Sequence, residues 1–138
     1  NSHVIPGLIN RFHEAKINKL SSVSIWGTGN PKREFLFVED MADASIYIMN
    51  LDKDIYHSCI KPSSHINIGS GDEITINQLA LIIKDVVGYT GNINFDNSKP
   101  DGSPRKLIDS EKINTLGWHA KVNLKDGLIR TYKEYLKL

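Results

Sequence analysis

One cysteine, Cys59, stands in a chain of 138 residues, so no internal disulfide can form. A lone thiol fits a reducing compartment, and a cytoplasmic location is the expectation. Charge of one sign is also missing: seventeen basic residues face sixteen acidic ones, for a formal net charge of +1. That balance removes the bulk positive field that nucleic acid or an anionic membrane would require, so neither is an expected partner. Any anion must be recognised locally. No apolar run nears the roughly 20 residues that cross a bilayer, and no signal-peptide pattern is visible. Five histidines and the one cysteine are scattered without ligand spacing, so no metal is expected. A dinucleotide fingerprint is absent too. Gly27-Thr28-Gly29 and Gly69-Ser70-Gly71 lack the third glycine and the strand–turn–helix context, and both read as turns.

What is present is an alternation of helices and short strands, which makes the class α/β, and the length favours a single domain over residues 1–138. Apolar residues at 4, 5, 8, 9 and 12 predict an amphipathic helix from Val4 to about Asn18, with Pro6 tolerated in its first turn. Val23 to Trp26 reads as a strand, and Glu34 to Val38 as a second. Glu39 or Asp40 is expected to cap a helix reaching Leu51, with Met41, Ala44, Ile48 and Leu51 on one face. Residues 52–64 read as a polar loop and 65–69 as a strand. Thr75 caps a strong helix from Ile76 to Val87 that Gly88 ends. Ile93 to Phe95 is a short strand, and Lys99 to Lys106, with two prolines and a glycine, is a loop. Ser110 is expected to cap a short helix to Leu116, and Leu124 to Leu138 forms the last.

The stretch from Ser24 to Asp40 organises this pattern. A short apolar run ends in Trp26, a Gly-Thr-Gly-Asn-Pro turn reverses the backbone, and Arg33 opens a run of large apolar residues. Turn geometry accounts for the glycines, because glycine supplies positive φ. It does not account for an indole and a guanidinium at the two rims of the turn. A flat apolar face beside a bidentate donor suits a base or sugar carrying a phosphate.

Five motifs carry a resemblance: His3-Val4-Ile5-Pro6, Arg11-Phe12-His13-Glu14-Ala15, Trp26-Gly27-Thr28-Gly29 with Pro31 and Arg33-Glu34-Phe35-Leu36, Val38-Glu39-Asp40-Met41-Ala42, and Lys99-Pro100-Asp101-Gly102-Ser103-Pro104-Arg105-Lys106. Together they resemble the GDP-L-fucose synthases, NADPH-dependent 3,5-epimerase-4-reductases of the extended short-chain dehydrogenase class, over essentially the whole chain. The Arg-Glu-Phe and Val-x-Asp-Met-Ala pieces are shared by many sugar-nucleotide epimerases, whereas the first and last motifs are more particular. The resemblance implies the C-terminal, sugar-nucleotide-binding part of such an enzyme, a small domain of helices packed on short strands. It implies that the Rossmann half, which holds most of the NADPH and the Tyr-x-x-x-Lys pair, is absent. No tyrosine here has a lysine four residues on. The chain by itself is therefore expected to be inactive and to bind GDP weakly or not at all. The full-length protein is expected to be a homodimer.

Carried over residue by residue, His3 matches a general acid or base of the epimerisation, close to the nicotinamide. Arg11, Trp26 and Arg33 match residues that grip the GDP-sugar, and Lys106 matches a lysine placed to neutralise phosphate. Asp101 matches a possible acceptor for base or ribose, although an Asp-Gly turn explains it equally. Each has a plainer reading. His3 would simply bond at a helix start, Arg11 would be a solvated helix residue, Trp26 a core aromatic, and Arg33 half of a salt bridge to Glu34 or Asp40. Other readings of the chain are the substrate domain of another nucleotide-sugar epimerase or dehydratase, and a non-catalytic nucleotide-sugar binding module. If a Rossmann half is missing, the 40–51 helix and the 65–68 segment are expected to show bare apolar surface.

Overall fold

The computed structural model describes residues 3–61 and 65–138. The expected strand-and-helix alternation is present, and the chain divides into two compact units built from interleaved segments. The first takes the segment ending at Arg33, Ile74–Arg105 and Lys125–Leu138; the second takes Glu34–Glu73 and Lys106–Leu124.

The first unit opens with α1 (Val4–Ile17) and β1 (Ser22–Trp26). Leu8, Ile9, Phe12 and Ala15 recur at three-and-four spacing and are all buried. Strand β1 alternates, with Val23 and Ile25 buried between exposed neighbours, as a half-covered strand should. Helix α4 (Ile76–Val87) begins with a full capping box: Thr75 accepts from the Gln78 N–H, and the Gln78 side chain reaches back to the Thr75 N–H. It ends at Gly88, in the left-handed conformation at φ 71°. Lys16 of α1 donates to the Val87 carbonyl at 2.7 Å, placing a cation at the negative end of α4. Strand β4 (Asn92–Asp96) pairs with β1 in parallel, Ser22 opposite Asn92 and Trp26 opposite Asp96. Helix α6 (Leu124–Tyr135) closes the unit, its Tyr132 hydroxyl bonded to His13 Nδ1 at 2.9 Å.

In the second unit, α2 (Val38–Met49) buries Ala44 against Ile113 of α5 (Glu111–Thr115) and against Trp118. Leu36, Tyr47, Ile48, Ile66, Ile68 and Ala120 pack around that trio. The expected cap is corrected here. Helix α2 starts at Val38 behind Phe37 with no side-chain cap, and Glu39 and Asp40 occupy its first turn, where acidic side chains favour the helix dipole. Asp40 turns inward instead and accepts the backbone N–H groups of Lys121 and Val122 at 3.1 and 2.9 Å. The expected 52–64 loop contains a helix, α3 (Lys53–Ile60), capped by Asp52, which accepts from the Asp54 N–H; residues 62–64 lie outside the described residues. Residues 65–69 alternate in exposure but form no strand, because alternation marks a buried face and not a bonded neighbour. The strand expected from Glu34 to Val38 is corrected: β2 runs Lys32–Glu34 and shares only Glu34 with it, and with β3 (Glu73–Thr75) and β5 (Arg105–Lys106) it makes a sheet of order β3-β2-β5.

The expectation of bare apolar surface divides. Along α2, Val38, Met41, Ile46 and Met49 are exposed, Met49 at 82%. Ile66 and Ile68 are instead half-buried on the Ala44–Ile113–Trp118 cluster.

Candidate functional site

A pocket of about 250 Å³ opens in the first unit, lined by residues from every motif of its N-terminal half. His3, Val4, Gly7, Leu8 and Arg11 come from the start of α1, Ile25 and Trp26 from the end of β1, Arg33 from β2, and Ile76 from the start of α4. Four of the residues selected from the sequence, His3, Arg11, Trp26 and Arg33, thus share one cavity. Its floor is aliphatic and its rim is cationic, which suits an apolar ring bearing an anion.

The plainer readings can now be compared with geometry. Trp26 is 64% exposed, so it is not a core aromatic. Two cations stand by its ring, the Arg11 guanidinium carbon 6.0 Å and Lys99 Nζ 5.8 Å from the centroid. Arg33 is half-buried, and its Nη1 donates to the carbonyls of Lys32 at 2.6 Å and Ser103 at 2.7 Å. No carboxylate is among its partners in the described residues. Glu34, the nearest proposed mate, accepts from the N–H groups of Gly71 and Ile108. Arg33 therefore has donors to spare for an anion. Arg11 has a single bond to the Ser24 carbonyl at 3.3 Å. His3 sits at the N-cap position of α1, exposed, and its imidazole caps nothing.

Asp101 lies elsewhere. Both its oxygens are engaged, Oδ1 by the Thr28 N–H at 2.8 Å and Oδ2 by the Thr28 hydroxyl at 2.7 Å. Lys106 is exposed on β5 and belongs to the second unit. Two participants escaped the sequence reading. Lys99 reaches Trp26 from the proline-rich loop, and the Ser103 carbonyl of the same loop holds Arg33. The signal for Lys99 was its place at the head of the motif that ends at Lys106.

The residues present do not fit a dinucleotide. A Cβ at Gly27 would collide with Asp101 Oδ1, and one at Gly29 with the Phe95 ring, so this turn is already filled by the chain's own side chains. A Cβ at Gly69 would likewise meet Glu34 and Ser110. Gly71 has open space beside it, but it leads into the strand β3 and not into a helix start that could cradle a pyrophosphate. Among the described residues no group of three or more His, Cys, Asp or Glu side chains could hold a metal, and no helix is long and apolar enough to cross a membrane.

Comparison with known proteins agrees with this division. The model of the NAD dependent epimerase/dehydratase family matches residues 1–69. The chain is 53% identical over 137 residues to a probable GDP-L-fucose synthase 1 of Oryza sativa subsp. japonica, covering 99% of this chain and 39% of that protein. It is 49% identical over 138 residues to the GDP-L-fucose synthase of Escherichia coli K12, of which it covers 43%. Among solved structures, the GDP-mannoheptose C4 reductase of Campylobacter jejuni with NADP bound superposes at a TM-score of 0.84 with 38% identity, over 98% of this chain and 45% of that one. The chain thus spans about two-fifths of the length of the curated relatives it matches.

Proposed function

The chain belongs to the NAD dependent epimerase/dehydratase family, and we propose that it is the substrate-binding part of a GDP-L-fucose synthase. In this reading the whole enzyme converts GDP-4-keto-6-deoxy-D-mannose to GDP-L-fucose by 3,5-epimerisation and NADPH-dependent 4-reduction, in the cytoplasm and as a homodimer. The observation that carries the reading is the convergence of His3, Arg11, Trp26 and Arg33 on one pocket. Those residues come from three motifs separated in sequence, and only an extended apolar-and-anionic ligand makes use of all of them.

Each side chain then has a task set by its chemistry. The exposed Trp26 face packs against a ring of the substrate, while Arg33, anchored through Nη1, turns its remaining N–H groups to diphosphate oxygens. Arg11 adds a second positive charge on the same indole. His3, whose imidazole makes no cap bond at the start of α1, serves as the acid or base at the carbon beside the 4-keto group. A keto oxygen makes that carbon acidic by accepting the enolate charge, so a modest base suffices. Reduction belongs to the cofactor, and no residue described here takes part in it.

A GDP-sugar reductase that does not epimerise is a second reading, favoured by the likeness to the heptose C4 reductase. One experiment separates the two. The chain replaces the corresponding 43% of the Escherichia coli synthase, and products are followed from GDP-4-keto-6-deoxy-mannose. Formation of GDP-L-fucose, abolished for the epimerised product alone in His3→Asn, supports the proposal. A folded chimaera that reduces without inverting C3 and C5 refutes it in favour of the second reading.

A further inference from the structure

The turn Gly27-Thr28-Gly29 has the form of an anion trap, and the chain supplies the anion itself. Thr28 offers a backbone N–H and a hydroxyl, both within 2.8 Å of Asp101 oxygens. Gly27, at φ 84°, leaves open the space that Asp101 Oδ1 enters. Two hydrogen bonds to one side chain, from a backbone N–H and a hydroxyl, make a joint that holds the loop at two points. The loop anchored there runs across the pocket-forming segment at three further points. Lys99 Nζ stands over Trp26, the Ser103 carbonyl accepts from Arg33, and the Pro104 carbonyl accepts from the Lys32 N–H at 2.8 Å. Apart from Asp101, the loop brings no carboxylate to this region, and both Asp101 oxygens are occupied.

We propose that Asp101 is a positioning residue: seated in the Gly27–Gly29 turn, it latches the 97–104 loop so that Lys99 becomes a third cation, beside Arg11 and Arg33, for the diphosphate of the ligand. The proposal deepens the reading of the pocket as a nucleotide-sugar site and rests on it. Asp101 does not touch the ligand. It acts through Lys99, and the bond from Thr28 is the means.

The latch makes a prediction with an unexpected sign. Removing a negative charge near an exposed indole should draw iodide closer and so increase its quenching of Trp26 fluorescence. If Asp101 holds Lys99 there, Asp101→Ala instead releases a nearby positive charge, and iodide quenching falls while caesium quenching rises. Trp118, buried, contributes little to either. Lys99→Met should reproduce the change, and Asp101→Ala/Lys99→Met should go no further than Lys99→Met. Asp101→Asn retains an acceptor for the Thr28 N–H and a donor to its hydroxyl, and should restore most of the wild-type asymmetry. Thr28→Val breaks one of the two bonds from the other side, with circular dichroism confirming that each variant is folded.

Titration of GDP into the chimaera with the remainder of the Escherichia coli synthase completes the test. Asp101→Ala and Lys99→Met should each weaken GDP by about fivefold, the worth of one exposed charge contact, without adding in the double variant. Iodide quenching that rises or stays constant in Asp101→Ala, or GDP effects that add, overturns the latch. A flat GDP titration of the unsubstituted chimaera, with the quenching pattern of the chain intact, overturns the nucleotide reading of the pocket and with it the task given to Lys99, while the latch itself stands.

Discussion

Asp40 offers the sharpest test of how the second unit is held together. Its side chain is 3% exposed, and a single oxygen, Oδ2, accepts the N–H groups of Lys121 and Val122. Those two donors lie in the irregular segment after Trp118, where no helix or strand satisfies them. Asp40→Ala takes that acceptor from both at a part-buried joint. At about 1.5 kcal/mol for each hydrogen bond to a charged group, the loss is roughly 3 kcal/mol, reduced somewhat because a buried carboxylate no longer has to be desolvated. Asp40→Asn keeps one oxygen that can take the place of Oδ2 but surrenders the charge, so about 1 kcal/mol is expected. On the 5–15 kcal/mol typical of a domain, the first change is severe. The assay is urea unfolding followed by Trp118 fluorescence, in a Trp26→Phe background to isolate that signal. Trp118 lies in the same unit, where its indole N–H bonds Asp43 at 2.9 Å. If Asp40→Ala lies within about 0.5 kcal/mol of its parent, the two N–H groups have found other acceptors and the reasoning fails.

Other consequences are smaller. Thr75→Ala removes half of the capping box of α4 and should cost about 1 kcal/mol by the same urea assay. Ser110 Oγ is buried without a hydrogen-bond partner among the described residues, so Ser110→Ala should be neutral or stabilising, and a clear loss in thermal midpoint would contradict that geometry. The hydrogen bond from Lys121, then that from Trp118, holds the Asp43 carboxyl below its usual 3.8. A lowered folded value means that Asp43 contributes stability above the unfolded value and loses it as pH falls through the folded one. Titrations of the parent and Asp43→Asn should therefore hold a constant offset above pH 3.8 and converge as pH falls below it through the folded value; curves that stay parallel throughout would contradict the assignment.

How much could be read beforehand depended on whether the signal was local. Helices α1 and α4 were legible because spacing, Thr75 and Gly88 all act within a turn or two of the chain. Helix α3 was not, because its eight residues carry a polar composition and no buried side chain, and only Asp52 announces it. Asp40 misled for a related reason: an acidic residue ahead of an apolar helix has the form of a cap, and only the fold shows that Lys121 and Val122 lie within its reach. The alternation at 65–68 correctly marked Ile66 and Ile68 as inward-facing, yet pairing depends on a neighbour that no local pattern names. In the pocket, charge and aromatic residues at turn rims were visible as candidates. The partnership of Thr28 with Asp101 was not, since it joins residues that are distant in sequence and could equally have been an ordinary Asp-Gly turn.

The parallel pairing of β1 with β4 bears on how the polypeptide is made. A ribosome delivers Ser22–Trp26 before their partner strand, and the edge they need, Asn92–Asp96, follows only after the whole of the intervening segment has been synthesised. Through that interval α1 has lost neither its apolar stripe nor its need to cover it, and the first strand presents unpaired backbone to whatever is nearby. Synthesis rate and chaperone supply, more than any property of the finished pocket, should then govern how much of the nascent product reaches its proper shape.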